Sequence, residues 1–249
     1  MKPFKVWLRN FTAWKKNFLT SLVGDAIDPL IYFLGFGYGF RALIGNVNGM
    51  DYVEFIVPGI IMSSAMTGTS YECTFGSFTR IAGRKTYRAL LIAPIMIEDF
   101  VVGEVLWGMT KGLLSSIIMM LFTIIFGYFP GWFIIFNILN ILLTTFTFAS
   151  ISLFFTSISR SYDFFSYYFT AFISPMFILS GIFFPVSSLP SWAAFISKIF
   201  PLTYSVHLSR LIYDKTFSFL MVLDIFILLI WGLIFFYLSM KFMKKRLIT

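Results

Sequence analysis

Histidine and cysteine are almost absent from these 249 residues, which hold one of each, His207 and Cys73. A single cysteine excludes an intrachain disulfide and leaves the redox compartment unread. One histidine and one cysteine also restrict zinc sites, Cys–His nucleophiles and Ser–His–Asp triads severely. Charge is scarce as well: 12% of residues are charged, while 59% are hydrophobic. A soluble domain carries about 25% charged residues, so the apolar surplus must face lipid. Disordered, collagen-like, disulfide-stapled and nucleic-acid-binding classes are excluded. There is no internal repeat, low-complexity linker or soluble domain. No small-residue cleavage site follows the basic first 17 residues, so insertion without cleavage is expected.

What is present is a series of long apolar runs. About 20 apolar residues cross a hydrocarbon layer of about 30 Å, which predicts six transmembrane helices at 22–43, 53–76, 99–127, 132–156, 164–185 and 219–240. The third and fourth are joined by Tyr128-Phe129-Pro130-Gly131, a turn sequence that makes them an antiparallel hairpin. The net charge of +8 is distributed by side. Residues 1–17, Arg80, Arg84, Lys85, Arg88, Arg160 and the tail carry fourteen cations; Arg41, Lys198, Arg210 and Lys215 are four on the other side. The positive-inside rule then places both termini in the cytoplasm.

Two segments lie beside the spans. In residues 1–20, Phe4, Trp7, Leu8, Phe11, Trp14 and Phe18 share one helical face, opposite Lys5, Arg9, Thr12 and Lys16. This predicts an amphipathic interfacial helix with its rings at the acyl boundary. Residues 186–216 contain two apolar stretches too short to cross, expected as short re-entrant or interfacial helices on the outer side. The fold class is therefore all-α membrane protein, a single transmembrane domain over 1–249.

The connection between the second and third spans interleaves Arg80, Arg84, Lys85 and Arg88 with Ile81, Tyr87, Leu90 and Leu91, and stops at Pro94. A short helix across the cytoplasmic face and a plain positive-inside loop both accommodate the charges. Only the helix accounts for the interleaved apolar residues. The run from Arg84 to Ile95 resembles the loop of type-2 ATP-binding-cassette exporter permeases, in the drug, nodulation lipo-oligosaccharide and polysaccharide branch. Glu98-Asp99, Gly103-Glu104, Trp107 and Lys111 continue the match. Ser180-Gly181, Phe184-Pro185, then Pro201, Tyr204 and Arg210 resemble the C-terminal signature of the same family.

The resemblance implies an inner-membrane homodimer joined to two copies of a cytoplasmic ATPase. Residues 78–94 would be the coupling helix, with Arg80, Arg84, Lys85, Tyr87, Arg88, Leu90 and Leu91 as its contacts. This chain has no Walker A pattern, so it carries no cofactor; ATP and Mg would be bound by the partner. The implied cargo is amphiphilic: a lipid-linked saccharide, a lipid or a drug. Membrane lipid is the remaining partner, and nucleic acid is not one.

Charges inside spans need partners, since each costs roughly 2.5–3.5 kcal/mol at a helix centre on insertion scales. Asp25, Asp28, Glu72, Glu104 and Lys111 either set helix packing or line a gate. Glu104 and Lys111 share a face almost two turns apart, too far for a direct pair, so each is expected to meet another helix. Tyr162, Phe165, Tyr167, Tyr168, Phe169 and Phe172 crowd the fifth span, either as a conduit lining or as lipid-facing packing. Ser174-Pro175 interrupts that span at a candidate hinge. Two rivals come from other classes. A lipid-modifying enzyme would need clustered acids, but Asp25, Glu54, Glu72, Asp99, Asp163 and Asp224 are scattered. An ion-coupled transporter working without an ATPase would often show inverted repeats, and none is apparent.

Overall fold

Inside lipid each segment must satisfy its own backbone polar groups, which leaves helix as the answer for single apolar runs. The computed structural model describes residues 2–47, 49–82, 96–128, 131–216 and 218–248, and is helical almost throughout. For residues 19, 20, 22, 23, 25, 26, 131, 132, 134 and 248 the description is of backbone alone. In chain order the elements are α1 (Lys2–Lys15), α2 (residues 18–44), β1 (Asn46–Val47), β2 (Met50–Asp51), α3 (residues 52–82), α4 (Ile97–Ile125), α5 (Gly131–Ile158), α6 (residues 163–179), α7 (Ser191–Ser197), α8 (Pro201–Tyr213) and α9 (Phe219–Ile248). Among the described residues four segments are long and apolar enough to cross a membrane: Ile27–Ile44 in α2, Ile97–Ile125, Ile135–Ile158 in α5 and Phe219–Leu247 in α9. Asp163–Leu179, which is α6, is apolar but shorter.

Contacts sort the helix ends into two groups. At one end Arg80 of α3 meets Glu104 of α4, Tyr162 meets Thr79, and Arg246 of α9 meets Thr156 of α5. At the other, Arg41 of α2 meets Asp51 and Tyr128, and Arg210 of α8 meets Phe55 and Ile182. α1 and the C-terminal part of α9 lie at the first end, called the inner end below.

α3 is the core. Every residue of Tyr52–Tyr71 except Glu54, Thr67 and Tyr71 is buried. Small residues let α4 close on it: a side chain at Gly112 would collide with Thr69 of α3 and Thr145 of α5, and one at Gly68 with Ser115. Such small-residue seams are how helices associate where burial in lipid gives no hydrophobic gain. Pro201 supplies the first turn of α8, where its missing amide is harmless. α8 then inserts between α3, α5 and α9 with Leu202, Val206 and Leu208 buried. Polar residues of α5 receive it: Asn140 donates to the Ser205 carbonyl at 3.0 Å, and Ser209 to Asn137 at 3.1 Å.

A two-residue antiparallel hairpin, Asn46 opposite Asp51 and Val47 opposite Met50, links α2 to α3. Gly49 in its turn has φ 86°, a conformation that favours glycine. Asp51 then caps α3, accepting from the Val53 amide at 2.8 Å.

Candidate functional site

A cleft of about 630 Å³ opens between α2, α3 and α6. α2 contributes Asp28, Tyr32, Phe36 and Phe40, spaced by four so that they share one face. Ser63, Thr67 and Tyr71 come from α3, and Phe169, Ser174 and Phe177 from α6. Its rings hold one another: Tyr71 stacks on Phe169 at 4.4 Å, and Tyr32 leans at a tilt on Phe177 at 4.7 Å and Phe36 on Phe183 at 4.6 Å between centroids. Asp28 is the carboxylate of this lining, with Ser63 and Thr67 as neutral polar groups.

Each of the three helices around the cleft widens into a π turn, at Phe33–Tyr38, Glu72–Gly76 and Phe169–Ile173. The turn in α6 sits immediately before Ser174-Pro175. There the missing proline amide frees a carbonyl that a wider turn can accommodate. Such turns re-aim side chains and are frequent at functional sites.

At the inner end, Glu104 is fully buried in α4. Arg80 of α3 engages it through Nη2 at 2.6 Å and Nε at 3.1 Å, and through Nη1 reaches Glu72 at 2.7 Å. Ser77 donates to Glu104 at 2.6 Å, Asn10 at 2.9 Å and Arg9 at 3.2 Å. One carboxylate thus gathers α1, α3 and α4. Burial disfavours the charge on Arg80, but Glu104 and Glu72 outweigh it and hold its pKa above the ordinary arginine value. Arg80 is the last of the named coupling residues within the described part. Arg84, Lys85, Tyr87, Arg88, Leu90 and Leu91 lie outside the described residues.

The same cluster changes the picture of α1. Arg9 falls on the polar face by periodicity, yet it turns with Asn10 toward Glu104, because a buried carboxylate demands donors. Trp7, Phe11 and Trp14 pack edge-on around Trp107 of α4, and Trp7 donates to Thr110 at 2.9 Å. Part of the aromatic face therefore covers protein, while Phe4 and Leu8 stay exposed.

Of the other polar span residues, Lys111 is buried, donates to Ser21 at 2.6 Å and lies 5.6 Å over the Trp14 ring. Asp25 lies outside the described side chains. Of the six aromatic candidates, Phe169 lines the cleft. Phe165 packs on Phe75 and Phe78, Tyr168 bonds Ser152 at 2.9 Å and Phe172 leans on Phe155 and Tyr168. Tyr162 contacts Phe78, and Tyr167 is exposed. Sequence reasoning missed Tyr32, Phe36, Phe40 and Tyr71; the four-residue spacing in α2 was the available signal. It also missed Asn10 and Ser77, whose partner only the fold reveals. Among the described residues, no group of three or more His, Cys, Asp or Glu side chains is placed to hold a metal ion.

At the opposite end Arg210 of α8 ties the first turn of α3 to the turn after α6. It donates to the carbonyls of Phe55 at 3.3 Å and Ile182 at 3.1 Å, and lies 3.8 Å over the Phe55 ring. This fixes the turn after α6, where Gly181 has φ 80°. Pro201 and Tyr204 belong to the same region; the Tyr204 hydroxyl donates to the Lys198 carbonyl at 2.6 Å.

Comparison with known proteins places this arrangement. The family model described as ABC-2 type transporter matches residues 4–213. Nodulation protein J of Sinorhizobium fredii is 34% identical over 244 residues, 98% of this chain and 93% of that protein. Nodulation protein J of Rhizobium leguminosarum bv. viciae is 37% identical over 205 residues, 82% and 79% of the two chains. The inner membrane transport permease YadH of Escherichia coli is 27% identical over 201 residues, covering 81% and 78%.

Proposed function

The chain belongs to the ABC-2 type transporter family as a transmembrane permease component, and from that premise we propose that it is the conduit of an ATP-driven exporter. In this reading six spans, in α2, α3, α4, α5, α6 and α9, cross the inner membrane with both termini cytoplasmic. Two copies face each other, and each binds one copy of a separate ATPase that holds ATP and Mg.

The observation that carries the reading is the one-sided cleft. Its walls are aromatic, its helices are the three with π turns, and its rim on α2 and α6 exposes Ile27, Ile31, Tyr32 and Ile178. A second copy related by a two-fold axis would set the same patch against itself and close two half-conduits into one. Rings stack on sugar faces and pack on acyl chains alike, while Asp28, Ser63 and Thr67 offer hydrogen bonds. An amphiphile such as a lipid-linked saccharide, a lipid or a drug suits that mixture. The nodulation protein relatives fit an export role of this kind.

Coupling follows from the inner-end cluster. A push on residues 78–94 reaches Arg80 first, and Arg80 is tied through Glu104 to α1 and α4. Those helices would shift as one body, leaving the π turns of α2 and α6 to take up the change around the cleft. Nucleotide then selects between two packed arrangements by their relative free energies.

The test is the triple variant Arg84→Ala, Tyr87→Ala, Arg88→Ala, co-expressed with the ATPase that co-purifies with this chain. ATP hydrolysis stimulated by the permease is expected to fall to the level of ATPase alone while membrane insertion is retained. Stimulated hydrolysis at the unaltered rate would contradict the docking assignment. Cargo transport by the chain reconstituted without any ATPase would overturn the function itself.

A further inference from the structure

The aromatic cleft does not end at its rings. A second hollow of about 260 Å³ adjoins it between α2 and α3, and the two share Asp28, Pro29, Thr67 and Tyr71. Gly68 and Gly24 complete the second hollow, and a side chain at Gly24 would meet only open space. Phe36, Phe40 and Phe183 belong to the first alone. A carboxylate therefore stands where a ring-lined space meets one with few side chains. From Asp28 the shared face of α2 runs to Phe40, about 18 Å away at the helical rise.

Nothing in the described lining neutralises that carboxylate. Asp28 is exposed to the hollows and takes no hydrogen bond or ion pair from any described residue. No lysine, arginine or histidine is among the described residues lining either hollow. The nearby hydroxyls are committed elsewhere: Ser63 donates to the Ile60 carbonyl at 2.8 Å, and Thr67 to the Ser63 carbonyl at 3.0 Å. Lys111, the cation that α4 sends to α2, bonds Ser21 almost two turns before Asp28. An ionised carboxylate can only accept, and in a space that a second copy closes off from water it needs a cation. Tyr32, one turn along the same face, and Tyr71 add rings whose faces attract positive charge.

We propose that the joined hollows bind an organic cation with an apolar body, its positive centre held by Asp28 and its body laid along Tyr32, Phe36 and Phe40. The inference rests on the cleft being the conduit, and it narrows the cargo from any amphiphile to a positively charged one. Rings alone accept sugar faces, acyl chains and drugs alike. The carboxylate discriminates among them by charge.

The experiment is equilibrium dialysis of the full chain in dodecyl maltoside against labelled tetraphenylphosphonium, with binding to protein-free micelles subtracted. Neutral triphenylphosphine oxide, which keeps three rings and drops the charge, is the competitor. The unaltered chain is expected to bind the phosphonium saturably, and the oxide to displace it at least about tenfold less well than unlabelled phosphonium. Asp28→Asn should weaken phosphonium binding about tenfold and bring the two probes level. Its unfolding midpoint should not move, because Asp28 bonds no described residue. Asp28→Glu keeps the charge and should stay within about threefold of the unaltered chain. Equal binding of the two probes by the unaltered chain overturns the proposal. So does an Asp28→Asn chain that binds the phosphonium as before, or that loses it only by unfolding. Separation of two copies by Asp28→Asn with binding intact would make the carboxylate a counter-ion between subunits, and overturn it as well. No ATPase is present, so each of these failures leaves the ATP-coupled reading standing. Transport without an ATPase would sink that reading and leave the cation site intact.

Discussion

The two ends of this molecule are held by different physics. The inner end is locked by ion pairs around a carboxylate with no exposed surface, Glu104, reached by Arg80, Arg9, Asn10 and Ser77. The outer end is held by Arg210 on two backbone carbonyls, by the exposed pair of Arg41 with Asp51, and by the His207 ring on the Asp224 carboxylate at 2.7 Å. Buried pairs are poor sources of net stability but severe to break, because the survivor is left without a partner. Carbonyl contacts are weaker and can be exchanged one at a time. In the proposed function, the first arrangement suits an end that passes a push from residues 78–94 into three helices, and the second suits an end that releases cargo.

Removing the carboxylate should give the largest effect. Glu104→Gln takes the buried carboxylate away from Arg80 and Arg9 and leaves Arg80 with Glu72 alone, a loss of about 3 kcal/mol for a broken buried pair. The chain carries its own reporter in Cys73, its sole cysteine, which is buried with Sγ 3.9 Å from the Glu104 carbonyl oxygen. Maleimide labelling of Cys73 under native conditions should accelerate roughly a hundredfold through local opening of the inner end. An unchanged rate would mean that the charges are not what holds α1, α3 and α4 together.

Much of this contrast was legible in the sequence, and its limits have identifiable causes. Apolar run length predicted six membrane helices because lipid thickness fixes how long a helix must be; among the described residues four segments are long and apolar enough to cross, and Asp163–Leu179 is shorter. Charge scarcity marked Glu104 and Lys111 as residues needing partners on other helices, and the structure supplies Arg80 and Ser21. The partners themselves were not readable. Asn10 and Ser77 are ordinary residues until α1 and α3 converge on α4, and Arg9 has the periodicity of an exposed cation. Aromatic density pointed to the start of α6, yet three of the cleft's rings come from α2, where they are spaced among glycines. Density reflects composition; a conduit is defined by the face that neighbouring helices leave uncovered.

An intermediate effect is expected at the outer clamp. Arg210→Gln gives up donors to the Phe55 and Ile182 carbonyls and the stack on Phe55, a loss of about 2 kcal/mol. Thermal unfolding of the purified chain should register it. Cys73 labelling at low temperature should stay within about twofold of the unaltered protein, because the opening is confined to the far end. Arg210→Lys should recover only part of the loss, since an ammonium has neither the planar fork nor the stacking surface. If labelling of Cys73 rises as much as in Glu104→Gln, the two ends are one cooperative unit and the contrast between them fails.

The smallest effect should come from Arg41, whose contacts are shorter than those of Arg210: 2.7 Å and 2.9 Å to Asp51. The Arg41 side chain is 47% exposed, so water competes for the same hydrogen bonds and salt screens the attraction. Arg41→Gln should leave the unfolding midpoint unchanged at both low and high salt. Asp51→Ala, which removes the other half of the same pair, should cost about 1 kcal/mol because the Asp51 side chain also accepts from the Val53 amide at the start of α3. Asp51→Asn keeps an acceptor at that cap and should restore most of the difference. The asymmetry between the two partners separates pair energy from capping energy. Equal losses in Arg41→Gln and Asp51→Ala would assign the stability of this end to the ion pair after all, and with it a locking principle shared by both ends.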